Sequence, residues 1–122
     1  ACVLDLCAHL PKQQTGLLLH VCNTEKVVCV GDIHSNIHAI LDVLNDMKSN
    51  KLIDENMYLI DCSMIFMGDY ADRGPYGLLV FALLACLHSK NPSNVSIIRG
   101  NHEGEKLWTR CGFAKEFTHM QP

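Results

Sequence analysis

The apolar and polar positions near the start of the chain predict a β-hairpin. Residues 17–22 and 27–31 form two short apolar runs, the second rich in valine, and residues 23–26 form a polar spacer between them. Apolar runs on either side of a short spacer with turn chemistry are typical of paired strands. The second run ends at Gly31, where a polar loop begins.

Two longer stretches have helical patterns. After Asn36, a residue type favoured as a helix N-cap, apolar side chains recur every three or four positions. These apolar residues are Ile37, Ile40, Leu41, Leu44 and Met47. The spacing predicts an amphipathic helix, whereas residues 77–89 are apolar on nearly every side and predict a second, more buried helix.

Two further apolar runs, residues 64–67 and 95–98, are short and end at polar loops, which predicts buried strands. The order strand, helix, strand, helix, strand is the βαβαβ pattern of an α/β fold with a parallel sheet. In such sheets the loops at the carboxyl ends of the strands share one edge, and ligands bind there. We therefore expect the loops at residues 31–36, 68–74 and 99–103 to converge.

Composition narrows the functional classes. The 122 residues are 48% hydrophobic and 19% charged with a net charge of -3, which fits one compact domain and excludes a disordered chain. The ten Lys and Arg residues form no basic stripe, so we expect no nucleic-acid partner. The longest apolar stretch, residues 76–87, is shorter than the roughly 20 residues that cross a bilayer, so we expect no membrane partner.

The cysteines indicate a reducing compartment. There are seven, an odd number, and none forms a C-x-x-C pair, so we interpret them as reduced thiols. The expected location is therefore the cytoplasm, although this pattern leaves open export by a route without a classical signal.

The three loops carry oxygen and nitrogen ligands directly after predicted strands. The candidate metal ligands are Asp32, His34, Asp69 and Asn101. This set contains no thiolate and suits divalent manganese, iron or zinc. Two adjacent ions that share a carboxylate neutralise phosphate oxygens and lower the pKa of a shared water, which is the chemistry of phosphoester hydrolysis.

Other side chains of the same loops suit the handling of phosphate. The guanidinium of Arg73 can bind phosphate through two parallel hydrogen bonds. His102 can protonate a leaving alkoxide if a carboxylate orients its ring, and Asp72 is a suitable partner for it.

The loop motifs are G-D-x-H, G-D-x-x-D-R-G and R-G-N-H-E, in this order. Together they resemble the signature of the PPP family of metallo-dependent phosphoprotein phosphatases, in the calcineurin-like metallophosphoesterase superfamily. Residues 74–77 are more similar to prokaryotic members. The resemblance implies a β-sandwich flanked by helices, of which residues 1–122 would be a single partial domain, the N-terminal half.

The resemblance also implies the roles of the metal ligands. Asp32 and His34 would hold one of two divalent ions, Asp69 would bridge both, and Asn101 would hold the second. The family's later histidines and second phosphate-binding arginine have no counterparts here, so the expected partner is the missing C-terminal half of the catalytic domain. The chain alone is then expected to have little or no activity.

For substrate binding and proton transfer, the resemblance assigns Arg73 and Asn101 to the phosphate, and His102 with Asp72 to the acid dyad. The implied function is hydrolysis of phosphoserine, phosphothreonine or phosphotyrosine in proteins by a metal-bridging hydroxide. Two alternatives stay open: a dinucleotide-polyphosphate hydrolase, and a catalytically inactive module that binds phosphate or metal.

Overall fold

The computed structural model of the chain describes residues 26–108, 110 and 112–118. Within them the chain forms three strands and four helices. The strands are β1 (Lys26–Val30), β2 (Cys62–Phe66) and β3 (Val95–Ile97). The helices are α1 (Ile37–Ser49), α2 (Gly77–Lys90), α3 (Glu105–Trp108) and α4 (Phe113–Thr118). The predicted α/β class and the order of its elements are confirmed.

The three strands form a parallel sheet in the order β1, β2, β3. Phe66 of β2 pairs with Val30 on one side and with Ile97 on the other, so all three strands end at the same level. Because sequential parallel strands are joined by right-handed crossovers, the connecting helices lie on one face of the sheet. In agreement with this, α1 and α2 contact each other.

The hydrophobic core lies between this sheet face and the two long helices. Its central members are buried side chains of β2, α1 and α2: Met64, Phe66, Ile40, Leu44, Met47, Val80, Leu84 and Leu87. The α1 contributors follow the spacing that the sequence predicts. The core therefore fixes the helices against the strands whose carboxyl ends carry the polar loops.

The element boundaries differ from the predicted ones by one or two residues. Asn36 caps α1 as expected, because its side-chain oxygen accepts a hydrogen bond from the backbone N–H of Ala39 at 3.2 Å. β1 ends at Val30, so Gly31 already belongs to the loop. The first strand of the predicted hairpin, residues 17–22, lies outside the described residues.

None of the described helices combines the length and the apolar character that a membrane span requires.

Candidate metal and phosphate site

The three polar loops meet at the carboxyl edge of the sheet, where the sequence places them. Loop 1 (residues 31–36), loop 2 (residues 68–74) and loop 3 (residues 99–103) follow β1, β2 and β3. The carbonyl oxygen of Asp69 accepts from the N–H groups of Ile33 at 3.0 Å and His34 at 2.8 Å, which joins loop 2 to loop 1. The backbone N–H of His102 donates to Asp69 Oδ1 at 2.9 Å, which joins loop 3 to loop 2.

Two glycines allow loops 2 and 3 to approach this closely. Gly68 has a φ of +107°, and a Cβ at this position would overlap the backbone of Gly100. A Cβ on Gly100 would in turn overlap Asp69. Both positions therefore require glycine, and Gly68 requires it for its conformation as well as for space.

The loops hold backbone conformations that non-glycine residues seldom adopt. Of the eight described non-glycine residues with positive φ, five lie in loops 1 and 2. These five are His34, Ser35, Asp69, Asp72 and Arg73. Each such residue costs about 1–3 kcal/mol and persists only when its surroundings fix it, a pattern that is concentrated at functional sites.

Three side chains bring polar ring and carboxylate atoms together. Atoms of His34, Asp69 and His102 all lie within 4.8 Å of one another. His34 and Asp69 are predicted metal ligands, and His102 is the predicted proton donor beside them. The Nδ1 atom of His34 lies 3.2 Å from the carbonyl oxygen of Ala71, so Nδ1 carries the proton and donates it. This backbone contact leaves Nε2 of His34 free to bind a metal, which is the usual arrangement of ligating histidines.

The other two predicted ligands lie at the margin of this cluster. Asp32 Oδ2 is 3.9 Å from His34 Nε2, and the Asp32 side chain is 68% exposed. Asn101 lies against the carboxylate of Asp69, and when its amide nitrogen faces that carboxylate it donates to Oδ2 at 2.9 Å. Together with His34 and Asp69, these two residues offer only oxygen and nitrogen donors and no thiolate. The donor set therefore fits a divalent ion.

The predicted acid dyad is present and buried. His102 Nδ1 lies 3.0 Å from Asp72 Oδ2, and the Asp72 side chain is 0% exposed. The other carboxylate oxygen of Asp72 accepts from the backbone N–H of Phe113 at 2.8 Å. Because Nδ1 of His102 is engaged, Nε2 remains to face the site, where the ring meets His34 edge to face at 4.8 Å. Arg73, at the rim, is exposed and open to an incoming anion.

Sequence reasoning noted Glu103 only as a motif position, yet its carboxylate is central to the site. Its oxygens accept from the backbone N–H groups of Asp69, Tyr70 and Gly100 at 2.8, 2.8 and 2.9 Å. A glutamate directly after the Asn-His pair, in a loop that must pack on another loop, is the one sequence signal that points to it.

Tyr70 was also missed. Its hydroxyl donates to the carbonyl oxygen of Ile98 at 2.5 Å and lies 2.9 Å from that of Phe66. Burial, with a smaller contribution from the negative charge of Glu103, raises the pKa of Tyr70 well above its usual value. The hydroxyl therefore stays protonated and keeps β2 and β3 joined below the loops.

Comparison with known proteins gives one consistent family. Residues 25–121 match the family described as calcineurin-like phosphoesterase. The chain is 38% identical over 93 residues to the serine/threonine-protein phosphatase PP1-1 of Saccharomyces cerevisiae, covering 76% of this chain and 27% of that protein. It is 36% identical over 90 residues to the serine/threonine-protein phosphatase 6 catalytic subunit of Caenorhabditis elegans, covering 74% of this chain and 24% of that protein.

A solved structure agrees with these relatives. A protein serine/threonine phosphatase from Saccharomyces cerevisiae, with similarity to human phosphatase PP5, superimposes with a TM-score of 0.60. The two chains are 29% identical, and the match covers 76% of this chain and 27% of the other. The chain spans about a quarter of the length of the relatives it matches. The named relatives are eukaryotic, so the prokaryotic character expected from residues 74–77 finds no support among them.

Proposed function

Because the chain belongs to the calcineurin-like phosphoesterase family, we propose that it carries part of the active site of a metal-dependent phosphoprotein phosphatase. The observation that carries this proposal is the meeting of His34, Asp69 and His102 within 4.8 Å, beside a buried His102–Asp72 pair. The relatives named above are serine/threonine phosphatases, which favours phosphoserine and phosphothreonine in proteins over a dinucleotide polyphosphate as the substrate.

The proposed metal ligands are Asp32, His34, Asp69 and Asn101, with Asp69 shared between two divalent ions. Their oxygen and nitrogen donors suit manganese, iron or zinc. Such ions, when bound, neutralise phosphate charge and make a nucleophile available near neutral pH. The chain's own contribution is to fix the ligands. The carbonyl of Ala71 orients His34, and the backbone N–H groups of Ile33, His34 and His102 donate to Asp69.

Arg73 and Asn101 are proposed to bind the phosphate of the substrate. Both residues are exposed at the rim of the site, so an incoming phosphomonoester reaches them without a rearrangement of the core. The guanidinium fork of Arg73 matches two phosphate oxygens, and the amide of Asn101 can donate to a third. This pair orients the ester bond towards His102.

His102 is proposed to protonate the leaving alkoxide through Nε2. Asp72 accepts the Nδ1 proton and holds the ring in place. Asp72 is itself buried, and its other carboxylate oxygen accepts from the backbone N–H of Phe113. The ring of His102 is therefore held in one orientation, in which Nε2 faces the proposed metal ligands.

We also propose that further ligands come from polypeptide outside these 122 residues, the C-terminal half of the catalytic domain. A cytoplasmic location is likewise proposed, since Cys29, Cys62 and Cys86, the described cysteines, are all free thiols.

Calorimetric titration of Mn²⁺ tests the site in the 122-residue chain. We expect binding by the wild-type chain and its loss in Asp69→Asn, which keeps the shape of the side chain and removes its charge. Asp42→Asn, on the exposed side of α1, is the control and should bind as the wild type does. Equal Mn²⁺ affinity in wild type and Asp69→Asn would overturn the metal assignment.

Turnover tests the substrate class. The chain is assayed alone and after mixing with the C-terminal half of a phosphatase relative, on a phosphoserine peptide and on a dinucleotide polyphosphate. We expect little activity from the chain alone and hydrolysis of the phosphopeptide after mixing. Preference for the dinucleotide polyphosphate would support that alternative, and Mn²⁺ binding without turnover of either compound would support the inactive binding module.

A further inference from the structure

We propose that Glu103 is a positioning residue, which holds Asp69 in the conformation that makes it a metal ligand. This inference rests on the proposed function and adds to it a residue that contacts neither metal nor substrate. Glu103 acts through the backbone, by joining loop 2 to loop 3.

The contacts of Glu103 connect two loops through one carboxylate. Oε2 accepts from the backbone N–H of Asp69 at 2.8 Å and from that of Gly100 at 2.9 Å, and Oε1 accepts from the N–H of Tyr70 at 2.8 Å. Hydrogen bonds to an ionised acceptor are about twice as strong as those between neutral groups. A single charged side chain therefore satisfies three N–H groups that would otherwise oppose the approach of the loops.

Asp69 needs such support because its backbone is strained. Its φ is +54°, in the left-handed region that an aspartate adopts only at a cost. Its carbonyl oxygen is held from loop 1, by the N–H groups of Ile33 and His34. Its N–H is held from loop 3, by Glu103. Its carboxylate also accepts from the N–H of His102 at 2.9 Å. Removal of the Glu103 contact frees the N–H anchor and loosens loop 2 against loop 3, so the Asp69 carboxylate is less well fixed in direction.

Loops 2 and 3 are closely packed around Glu103. A Cβ on Gly100 would lie 2.8 Å from Glu103 Oε2 and would overlap Asp69. Two residues of loop 3 therefore act together. Gly100 has no side chain and leaves space beside Asp69, and the carboxylate of Glu103 occupies this space and accepts from the backbone of loop 2.

Three variants test this role. Glu103→Gln keeps the size of the side chain but has only one acceptor oxygen. It can therefore accept from the N–H groups of Asp69 and Gly100 or from that of Tyr70, but not from all three. Glu103→Asp keeps both oxygens but is one methylene shorter and cannot span the two loops. Asp54→Asn is the matched control, because Asp54 also accepts from two backbone N–H groups, those of Asn56 and Tyr58, in the segment between α1 and β2.

Two measurements are made on the 122-residue chain and its variants. The first is Co²⁺ binding, followed by the visible absorption of the ion, which reports its coordination geometry as well as its affinity. The second is hydrogen exchange of the amides of Asp69, Tyr70 and Gly100. For Glu103→Gln and Glu103→Asp we expect roughly 10–100-fold weaker Co²⁺ binding with an altered spectrum, and faster exchange at these amides.

The control separates positioning from general stability. Asp54→Asn should leave the Co²⁺ spectrum, the affinity and the three amides unchanged, whatever its effect on the melting temperature. Co²⁺ binding by Glu103→Gln within about twofold of wild type, with the amides still protected, would overturn the inference. If the wild-type chain itself binds no Co²⁺ or Mn²⁺, the proposed function fails, and amide exchange alone then decides whether Glu103 holds Asp69.

Discussion

At the scale of one residue, the fold fixes the ring of His102, the proposed proton donor. A histidine in solution has no fixed ring orientation, whereas the ring of His102 is held by Asp72, and Asp72 by the N–H of Phe113. A well-placed proton donor contributes about 10²–10⁴-fold to a rate, and it matters most when the leaving group is basic. Loss of His102 should therefore slow the release of a basic alkoxide more than the release of a weakly basic aryl oxide.

We predict that His102→Asn slows hydrolysis of a phosphoserine peptide by about 10²-fold or more and of p-nitrophenyl phosphate much less. The reason is that an aryl oxide leaves without protonation, while a serine alkoxide does not. The measurement is kcat on both substrates, with the chain mixed with the C-terminal half of a phosphatase relative. His38→Asn, an exposed change on α1, is the control and should alter neither rate. Equal losses on both substrates would show that His102 is a ligand or a structural residue.

The sequence predicts the candidate ligands and the candidate proton donor better than it predicts the residues that hold them in place. Asp69, Asp72 and His102 stand in the polar loops that follow apolar runs, and the structure brings all three together. Glu103 is different, because its partners are backbone N–H groups that no residue type reveals. The same is true of His88, which is buried with Nδ1 2.9 Å from the carbonyl oxygen of Val95.

At the scale of elements, the close approach of loops 2 and 3 depends on Gly68. We predict that Gly68→Ala lowers the free energy of unfolding by about 2 kcal/mol or more. The added methyl group would both disfavour the φ of +107° and overlap the backbone of Gly100. Urea unfolding measures the effect.

Gly31→Ala is the matched control for this prediction. Gly31 also follows a strand and precedes an aspartate, but a Cβ there meets nothing within 4 Å. Its effect should stay within about 0.5 kcal/mol, as for other surface substitutions. Similar stabilities of the two variants would mean that the loops can separate without cost.

The first turn of α4 supports the dyad from a distant part of the sequence. We predict that Phe113→Pro reduces kcat on a phosphopeptide about tenfold relative to Phe113→Ala. Both variants lose the ring contact with Phe81, but only proline removes the N–H that binds Asp72. Proline is tolerated at the first position of a helix, so α4 should still form in both variants. The kcat values are compared at a temperature at which urea unfolding shows both variants to be folded. Equal kcat values would show that this N–H does not support catalysis.

The regular elements were predictable because each has a strong local pattern. α1 shows helical spacing and a capping residue, and β2 is an apolar run that ends at a loop. The segment after Glu103 has no such pattern. Its short helices α3 and α4 are fixed by distant contacts, such as the bonds from Glu116 to the start of α2, which the local sequence does not contain.

At the scale of the whole molecule, the strand order explains why all the candidate ligands lie at one edge of the sheet. The three parallel strands are neighbours in sequence order, so their carboxyl ends lie together and α1 and α2 share one face. Each strand then supplies one loop, and every candidate ligand lies within eight residues of the end of a strand. The site joins parts of the chain that are about 70 residues apart.

This arrangement links metal binding to the stability of the described domain. Ligands from the loops after β1, β2 and β3 can surround an ion only when all three strands are in place, so the folded chain binds it and the unfolded chain does not. A ligand that binds only the folded state stabilises it by about 2.7 kcal/mol when its concentration is 100 times its Kd.

We predict that Mn²⁺ at this ratio raises the melting temperature of the wild-type chain and that EDTA reverses the rise. The rise should be absent in Asp69→Asn and present in Asp42→Asn. Scanning calorimetry measures the shift. A melting temperature that is independent of Mn²⁺, in a chain that binds the ion, would show that the ligands come from one loop and that the three strands do not act together in holding it.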